Sequence, residues 1–375
     1  MKRWKKSGIY EYVLTREEKY LLCYTQYMIS PQSSRDAVMT RLDSFLTQKM
    51  AEASEIHPSY VRLVQHIKDT VLAGGKYVRP HLVLLTYGSY DEQIAHVAAA
   101  HELLHAAVLV HDDIIDRDDV RRGRPTIHAA YRARYAPYLE DPQEREHFSH
   151  SAALLAGDLL IGFAYELIAL AGLPGAEYQK ATALISRGLF EVAGGELLDT
   201  EAPFIPGEYQ PETVYRYKTA SYSFVSPIMT GASLSPRDYD QVTLDSLRTY
   251  ATNLGIAFQI QDDILGVFGD AAATGKSTTG DLREGKQTLL THNFTACMDE
   301  RQAALFDQTF GNATASDEAF DQLRTALRES GALAATHAAN TRYTDQAITS
   351  AQAIEHDELR QLLLDFATRL LKRAS

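Results

Sequence analysis

The sequence predicts an all-α protein, a single-domain bundle of ten or more helices around a central cavity. Apolar residues recur at the i, i+3 and i+4 spacing of helices along most of the 375 residues. No stretch alternates apolar and polar residues convincingly enough to predict a strand, and no Asn-Gly pair marks a hairpin. No serine- or glycine-rich linker divides the chain, so one domain is the simplest organisation.

Helical periodicity covers eight stretches, several of which are apolar nearly all round and are therefore expected at the centre of the bundle. Segments with glycine or proline separate them, including Gly74-Gly75, Pro174-Gly175 and residues 275–280. The helical stretches are residues 94–116, 149–171, 176–200, 211–231, 240–268, 284–298, 316–354 and 356–373.

The composition narrows the class of protein. Apolar residues make up 45% of the chain, which is enough for a sizeable core. The formal charge of −12 argues against a nucleic-acid partner and fits a protein that recruits metal cations. Cys23 and Cys297 match no zinc or disulfide spacing, and reduced thiols of a cytoplasmic protein are expected.

No secretory or membrane-spanning segment is predicted. Basic residues open the chain, but the apolar region of a signal peptide does not follow them. The most apolar stretch, residues 152–171, is interrupted by Asp158 and Glu166, which disfavours a membrane-spanning helix. We expect residues 1–35 to be an N-terminal extension of unknown role and residues 36–375 to form the domain.

Two aspartate-rich hexads are the main candidates for chemistry. Residues 111–116 read His-Asp-Asp-Ile-Ile-Asp, and residues 261–266 read Gln-Asp-Asp-Ile-Leu-Gly. Carboxylates within apolar helical runs are costly to bury unless cations compensate them. Asp112 and Asp116 lie one turn apart on one helix face, about 5–6 Å apart at Cβ, which suits Mg²⁺ bound together with phosphate. The pair of hexads therefore predicts one metal-filled cavity between two helices.

The two hexads are unequal. Asp113 points about 100° away from Asp112 and is expected to act through water or other side chains. The second hexad has Gly266 where the first has Asp116, so position 266 either matters less for the metal or leaves a metal held more loosely. Asp270, two turns further on and about 12 Å away, is too distant to replace the missing acid.

A di-iron site of the ferritin-like type is the competing metal hypothesis, because Glu102-Leu103-Leu104-His105 has the Glu-x-x-His spacing of such sites. These sites need a second such motif, and the sequence contains none. A solvated acidic helix end would explain one hexad alone. Two Asp-Asp pairs with apolar flanks disfavour that explanation.

Basic residues near glycines supply the charge that a phosphate ligand needs. Residues 74–80 read Gly-Gly-Lys-Tyr-Val-Arg-Pro, so that Lys76 and Arg79 could face one phosphate group. Each basic segment taken alone is compatible with an ordinary surface loop. The further basic residues that follow the two hexads are Arg121, Arg122, Lys276 and Lys286.

The order of the motifs resembles the trans-isoprenyl diphosphate synthase (polyprenyl synthetase) family between about residues 70 and 290, and among its members the geranylgeranyl diphosphate synthases most. The motifs in order are Gly-Gly-Lys-x-x-Arg-Pro, Glu-Leu-Leu-His, Asp-Asp-x-x-Asp, Arg-Arg-Gly-x-Pro-Thr, Lys-Thr and Phe-Gln-x-x-Asp-Asp. The resemblance implies the isoprenoid synthase fold, a homodimer and a chain-elongating prenyltransferase. Such enzymes join isopentenyl diphosphate to an allylic diphosphate that ionises with the help of Mg²⁺.

The resemblance also implies roles for individual residues. Isopentenyl diphosphate is expected at Gly75, Lys76, Arg79, His105 and Arg122. Three Mg²⁺ ions are expected at Asp112, Asp116 and Asp262, with Asp113 and Asp263 in support. Direct cationic contacts to the allylic diphosphate are expected from Arg121, Lys218, Lys276 and Lys286. The groups around the reacting carbocation are expected to be Lys218, Thr219, Tyr222, Phe258 and Gln259.

The product length is expected to depend on the helix before the first hexad, which forms the wall of the elongation pocket in this family. Val108 and Ala107, four and five residues before Asp112, are not aromatic, and Leu104 lies one turn deeper. Aromatic side chains at the first two positions would form a floor that stops growth at fifteen carbons. We therefore expect a twenty-carbon geranylgeranyl product, with longer polyprenyl chains as the alternative.

Three other functions compete with this one. A weakly active subunit of a heteromeric synthase would usually lack its aspartates, and five of the six hexad acids are present here. A class I terpene cyclase shares the fold and metals but needs no isopentenyl site, so Lys76, Arg79 and His105 argue against it. A helical scaffold would release no diphosphate in the presence of Mg²⁺.

Overall fold

The protein is an all-α bundle, as the sequence predicts. It is seen in a computed structural model that describes residues 30–205, 208, 210–269 and 279–372. Helices α1 to α7 are Pro31–Ile56, Pro58–Leu72, Val78–Tyr87, Glu92–Ile115, Ile127–Tyr135, Pro142–Leu170 and Gly175–Glu201. Helices α8 to α16 are Pro211–Val214, Ser226–Leu234, Gln241–Phe268, Gly280–Glu284, Leu289–Thr295, Glu300–Thr309, Asp317–Glu329, Ala332–Gln352 and Asp357–Lys372. A π-helix, Tyr215–Val225, joins α8 to α9, and a hairpin is formed by strands β1 (Val120–Arg121) and β2 (Arg124–Pro125).

Two of the predicted helical stretches are each divided in the structure. The stretch 316–354 is α14 followed by α15, with Gly331 between them at a φ of +89°. In the stretch 284–298, Gly285 ends α11 at a φ of +72°, and α12 begins four residues later. Glycine adopts this left-handed conformation without steric cost, so a helix can end while the apolar periodicity continues on both sides.

The N-terminal helix α1 begins within the predicted extension. The hydroxyl Oγ of Ser30 caps the helix by accepting a hydrogen bond of 3.0 Å from the backbone N–H of Ser33. The predicted boundary between residues 35 and 36 falls inside this helix, which continues without a break across it. Residues 1–29 lie outside the described part of the chain.

Helix α4 lies at the centre of the bundle. From Ile94 to Leu104 every residue except His96 is buried, because α1, α2, α3 and α6 all pack around it. This explains why its sequence is apolar nearly all round and rich in alanine, which permits close helix packing. The first hexad lies at the C-terminal end of α4, where Asp112 is only partly buried.

The π-helix is held between α7 and α10 by contacts that only glycine allows. A Cβ atom added at Gly195 of α7 would lie 2.1 Å from the backbone nitrogen of Lys218. A Cβ atom added at Gly255 of α10 would lie 2.5 Å from the Cβ of Ala220. The backbones therefore approach more closely than any larger side chain permits, and this fixes the position of Lys218 and its neighbours.

The Arg-Arg-Gly segment forms a tight hairpin turn that the sequence did not predict. Arg122 and Gly123 have φ values of +52° and +72°, and Arg121 pairs with Arg124 on the two strands. Two successive left-handed residues are typical of the two-residue turns that match the twist of a hairpin. The turn directs the neighbouring arginines into two different parts of the site.

Helices α4 and α6 are long and apolar enough, by length and composition alone, to cross a membrane. In α4, 72% of the most apolar window is buried inside the protein, as expected of a central core helix. In α6 only 44% of that window is buried. Leu154, Leu155 and Leu170 of α6 are about half exposed, so this helix has an apolar face that the described chain leaves uncovered.

A Gly195→Ala substitution is expected to lower the free energy of unfolding by about 1–3 kcal/mol, because its methyl group would overlap the backbone at Lys218. Gly194→Ala is the matched control, since among the described residues nothing lies within 4 Å of a Cβ placed there. Alanine in place of that helical glycine is expected to stabilise the protein by about 0.5–1 kcal/mol. Denaturant unfolding of both variants measures the difference, and equal effects would contradict the close contact.

Candidate active site

The first hexad forms an acidic cluster with a residue from another helix. Asp112 and Asp116 of α4 and Glu196 of α7 each place one carboxylate oxygen within 4.8 Å of the others. Asp112 and Asp116 lie on one face of α4, as the sequence predicts, and all three residues are partly buried. Three oxygen ligands in this arrangement have the chemistry that Mg²⁺ prefers.

Lys218 of the π-helix compensates the charge of this cluster. Its Nζ lies 2.5 Å from Oδ2 of Asp199, 3.0 Å from Oε2 of Glu196 and 3.6 Å from Oδ1 of Asp112. Burial alone would lower the pKa of Lys218, but the carboxylates of Asp199, Asp112 and Glu196 raise it above its ordinary value. The lysine is therefore positively charged at neutral pH and joins α4, α7 and the π-helix.

Arg121 of the hairpin compensates a second acid of the first hexad. Its Nε donates to Oδ1 of Asp113, and its Nη2 lies 3.3 Å from both Asp112 and Asp118. Burial raises the pKa of Asp113, and the guanidinium of Arg121 opposes that rise. Asp113 is thus engaged by an arginine, which fits the expectation that it acts through other side chains.

In the second hexad, the two neighbouring aspartates differ in environment. Asp262 is exposed, whereas Asp263 is buried and accepts hydrogen bonds from the hydroxyl of Tyr215 and, at 2.8 Å, from Nε2 of Gln259. Burial raises the pKa of Asp263 to about 8, although both hydrogen bonds lower it. Both carboxyl oxygens of Asp263 bond to protein groups, so its contacts here hold α10 in place rather than face a metal.

Lys286 bridges the segment after the second hexad to the first hexad. Its Nζ lies 3.3 Å from Oδ2 of Asp116 and 3.2 Å from Oε2 of Glu284. Burial lowers the pKa of Lys286, but the nearby carboxylates, with Asp116 the largest contribution, raise it above its ordinary value. Lys276, the other lysine predicted in this region, lies outside the described residues.

The glycine turn and the second hairpin arginine contact each other. The guanidinium of Arg122 donates to the carbonyl oxygen of Gly74, and a Cβ atom at Gly75 would lie 3.1 Å from its Nη2. Gly75 therefore lies close to the arginine where a side chain would crowd it. Lys76, the next residue, is exposed.

Arg79, Tyr222 and His105 form a chain of polar contacts on this side of the site. Arg79 donates hydrogen bonds to the hydroxyl of Tyr222 at 3.0 Å and to Ser223 at 2.6 Å, and its guanidinium lies over the Tyr222 ring at 4.7 Å. The hydroxyl of Tyr222 lies 3.4 Å from Nδ1 of His105. Tyr222, which the resemblance placed near the carbocation, thus contacts the residues expected at isopentenyl diphosphate.

His105 is neutral in this environment. Burial lowers its pKa well below the ordinary value, and Arg79, Arg122 and Arg121 lower it further. If Nδ1 accepts a hydrogen bond from Tyr222, the ring proton is on Nε2, which can donate to an anion. The buried Nε of Arg79 has no hydrogen-bond partner among the described residues, so it too can donate to a bound anion.

The remaining predicted groups come together between the π-helix and α10. Thr219 donates to Oε1 of Gln259 at 2.6 Å, so the amide of Gln259 is oriented by Thr219 on one side and Asp263 on the other. The ring of Phe258 packs against Phe224 with centroids 5.6 Å apart. These contacts join the two helices that carry the second half of the predicted site.

The residues proposed to set product length differ in burial. Val108 is partly exposed one turn before Asp112, whereas Ala107 and Leu104 are fully buried in the core. Of the three, Val108 is therefore the residue whose side chain can contact a ligand one helical turn from Asp112 without rearrangement of the core.

The donor atoms of the acidic cluster fit a magnesium site. All are carboxylate oxygens, which Mg²⁺ binds in preference to nitrogen or sulfur donors. The Oε2 atom of Glu196 is buried and accepts no well-aligned hydrogen bond from the described residues, although Lys218 lies close to it. Such an atom retains a lone pair that a cation can use.

Glu196 and Asp199 belong to this charged cluster, and sequence reasoning missed both. They lie three residues apart in the predicted stretch 176–200, so one helix face carries both carboxylates. The preceding Gly194-Gly195 pair within an apolar helix was the available signal, because glycines in a helix interior mark close packing of backbones.

The known proteins that this chain resembles are all prenyl diphosphate synthases or the family that contains them. The family model described as polyprenyl synthetase matches residues 61–327. A geranylgeranyl diphosphate synthase of Sulfolobus acidocaldarius is 32% identical over 293 residues, which are 75% of this chain and 82% of the relative. An all-trans-nonaprenyl-diphosphate synthase (geranyl-diphosphate specific) of Rhodobacter capsulatus is 30% identical, over 93% of this chain and 98% of the relative. The crystal structure of a Corynebacterium glutamicum geranylgeranyl pyrophosphate synthase complexed with isoprenyl diphosphate and magnesium has a TM-score of 0.84 and 30% identity, covering 92% of this chain and 99% of that chain.

A Glu196→Gln variant is expected to change how stability depends on pH. Burial raises the pKa of Glu196 to about 7, from an ordinary value of 4.5, although Lys218 opposes the rise. The folded protein therefore keeps a proton that the unfolded chain loses, and this residue reduces the free energy of unfolding as the pH rises through that interval.

In the absence of metal, the wild type should lose stability as the pH rises from about 4.5 to about 7, because Glu196 must be ionised in a buried position. Glutamine carries no charge, so the melting temperature of Glu196→Gln should rise relative to that of the wild type over this interval of about 4.5 to about 7. Glu191→Gln, on the same helix but paired with Arg187 outside the cluster, is the control for a changed helix charge. Melting temperatures measured across this range test the prediction, and a constant difference between Glu196→Gln and wild type would refute it.

Proposed function

Since this chain belongs to the polyprenyl synthetase family and is a trans-prenyl diphosphate synthase, we propose that it extends an allylic diphosphate with isopentenyl diphosphate to geranylgeranyl diphosphate. One observation supports this proposal most. The carboxylates of Asp112 and Asp116 form a metal-type cluster beside the cation Lys218, while His105, two turns earlier on the same helix, belongs to a group of arginines suited to a second anion.

We propose that Mg²⁺ ions, three as the family resemblance implies, bind at Asp112, Asp116 and Asp262. When bound, Mg²⁺ neutralises the allylic diphosphate and stabilises the charge that develops as this group leaves. The clustered carboxylate oxygens of the first hexad and the exposed carboxylate of Asp262 support these assignments. Asp113 and Asp263 then act as supporting residues, through Arg121 and Gln259 respectively.

The cations on the allylic side bind the leaving group. Lys218, Lys286 and Arg121 are each paired with a carboxylate of the first hexad, so a diphosphate bound there lies within reach of all three. The bond between the allylic carbon and the diphosphate oxygen breaks, and its electron pair stays on the diphosphate. Positive side chains already held in position lower the free energy of this charge separation.

The carbocation is then attacked by the double bond of isopentenyl diphosphate. Arg79, Arg122 and the Nε2–H of neutral His105 hold the isopentenyl diphosphate group and orient its double bond. A new carbon–carbon bond forms, and the departing diphosphate accepts the proton that is lost from the product. The oriented amide of Gln259, together with Thr219, supplies dipoles near the positive centre.

The product length is proposed from the side chains below Asp112. Val108 is partly exposed on that side and is aliphatic, so it leaves room for a chain longer than fifteen carbons. Relatives of this chain include both geranylgeranyl and longer polyprenyl diphosphate synthases, and the longer product is therefore the alternative.

We also propose that the protein is a cytoplasmic homodimer. Large apolar side chains on α6 and α7 are exposed, among them Leu155 at 57%, Phe190 at 72% and Leu197 at 65%. Exposed large apolar side chains on two helices that contact each other are typical of a subunit interface. The exposed, unpaired Cys297 fits a reducing compartment.

An Asp112→Ala substitution is expected to reduce Mg²⁺-dependent diphosphate release by at least about a hundredfold, because it removes a carboxylate of the metal cluster and leaves Lys218 with one partner fewer. Diphosphate release is measured with isopentenyl diphosphate and an allylic primer. Asp118→Ala, whose carboxylate lies at the exposed edge of the Arg121 contact, is the control and should keep most activity. Turnover by Asp112→Ala at the wild-type rate would contradict the proposal.

A Val108→Phe substitution is expected to shift the product from twenty to fifteen carbons, because an aromatic ring below Asp112 would close the elongation pocket. Val108→Ile, which remains aliphatic, is the matched control and should keep the wild-type product. Chromatographic sizing of the dephosphorylated products measures the outcome. A wild-type enzyme that makes only fifteen-carbon product would refute the assigned length without affecting the assigned reaction.

A Leu155→Lys/Phe190→Lys double variant is expected to be monomeric, since two charges would be buried at the proposed interface. Light scattering after size-exclusion chromatography gives the molar mass of each form. Val242→Lys, a similarly exposed apolar position on α10, is the control and should leave the dimer intact. A wild-type protein that runs as a 41.7 kDa monomer would exclude the dimer.

A further inference from the structure

The position of the acid missing from the second hexad is occupied from elsewhere in the chain. Gly266 of α10 stands where the first hexad has Asp116. A Cβ atom added at Gly266 would lie 2.3 Å from Oδ2 of Asp281 and 3.3 Å from its Cγ. The carboxylate of Asp281, a residue of α11, therefore lies where a side chain at position 266 would begin.

The packing of α11 holds Asp281 in this position. Leu282, the next residue, is 1% exposed and belongs to the core around Val267 of α10. Arg283 donates to the carbonyl oxygens of Ala313 and Ala315 at 3.1 and 3.0 Å. Because Leu282 is buried in the core and Arg283 is hydrogen-bonded to a neighbouring loop, the short helix α11 has little freedom to move.

The segment from Asp281 to Lys286 links the two hexads. The backbone carbonyl of Asp281 accepts a hydrogen bond of 3.0 Å from the N–H of Lys286, whose side chain reaches Asp116. The carboxylate of Asp281 therefore lies beside the second hexad, in the same segment as Lys286, whose side chain contacts the first hexad.

We propose that Asp281 supplies, from a separate helix, the carboxylate that position 266 lacks at the second metal site, and that position 266 is glycine because Asp281 needs that space. This inference rests on the proposed function, in which Asp262 binds Mg²⁺. Mg²⁺ usually retains several water ligands, and a neighbouring carboxylate accepts hydrogen bonds from them. Asp281 is therefore a residue that positions the ion rather than one that touches the reacting carbons.

The contact also reverses an expectation that the sequence alone would give for position 266. From the sequence alone, an aspartate introduced there restores the motif and is expected to tighten metal binding. In the structure its Cβ would collide with Asp281, and two like charges would be forced together. A Gly266→Asp substitution alone is therefore expected to weaken metal binding. The same substitution combined with removal of the Asp281 side chain should restore it.

The test compares Asp281→Asn, Gly266→Asp and the exchanged double variant Gly266→Asp/Asp281→Gly in full-length protein. Mn²⁺ bound in the presence of inorganic diphosphate is measured by electron paramagnetic resonance, which requires no turnover. Asp281→Asn is expected to weaken the affinity of the most weakly bound ion by about tenfold. The exchanged variant should recover to within about threefold of the wild type, and Gly266→Asp alone should not.

Asp245→Asn is the matched control, because it removes the same charge from an exposed position on α10 where the carboxylate accepts a hydrogen bond from Gln241. Unchanged Mn²⁺ affinity in Asp281→Asn would overturn the inference. So would an exchanged variant that melts like the wild type but binds Mn²⁺ no better than Gly266→Asp. If the wild type released no diphosphate with prenyl substrates, the proposed function would fail, whereas unchanged affinity in an active enzyme would remove only the role of Asp281.

Discussion

The site depends on one constraint: carboxylates on apolar helices must be paired with cations to be buried. Lys218 lies among acids of α4 and α7, and Lys286 and Arg121 each pair with an acid of the first hexad. Removal of one partner would leave an uncompensated charge, which is costly in a partly buried environment. In the proposed function, a diphosphate would compete with these carboxylates for the same lysines and arginine, and the metal ions that accompany it would neutralise the carboxylates in turn.

This charge balance requires backbones that approach closely. Lys218 reaches the acids of α7 because Gly195 lets the π-helix lie directly against that helix, and Gly255 does the same on the side of α10. π-Helical segments are uncommon in proteins, and those that do form are frequently located at functional sites. Here the π-helix carries Lys218, Thr219 and Tyr222, so the geometry of the site and the packing of the core are set by the same contacts.

The two halves of the site differ in how they meet a diphosphate. The half proposed for the allylic diphosphate pairs its cations with acids and suits a ligand that brings metal ions. The other half presents Arg79 with an unpaired buried Nε and a neutral His105, and it suits a diphosphate held by direct hydrogen bonds. Tyr222 contacts both of these residues and therefore lies beside the half of the site proposed for isopentenyl diphosphate.

The sequence by itself determined the fold class and the residues of each motif, because helical periodicity places Asp112 and Asp116 on one face whatever surrounds them. It did not reveal the break at Gly331, since one left-handed residue leaves the periodicity intact. Only the tertiary structure brought Glu196 to the first hexad and Asp281 over Gly266. Contacts between residues far apart in the chain depend on how closely and at what angle helices pack, and the local spacing of side chains does not encode that.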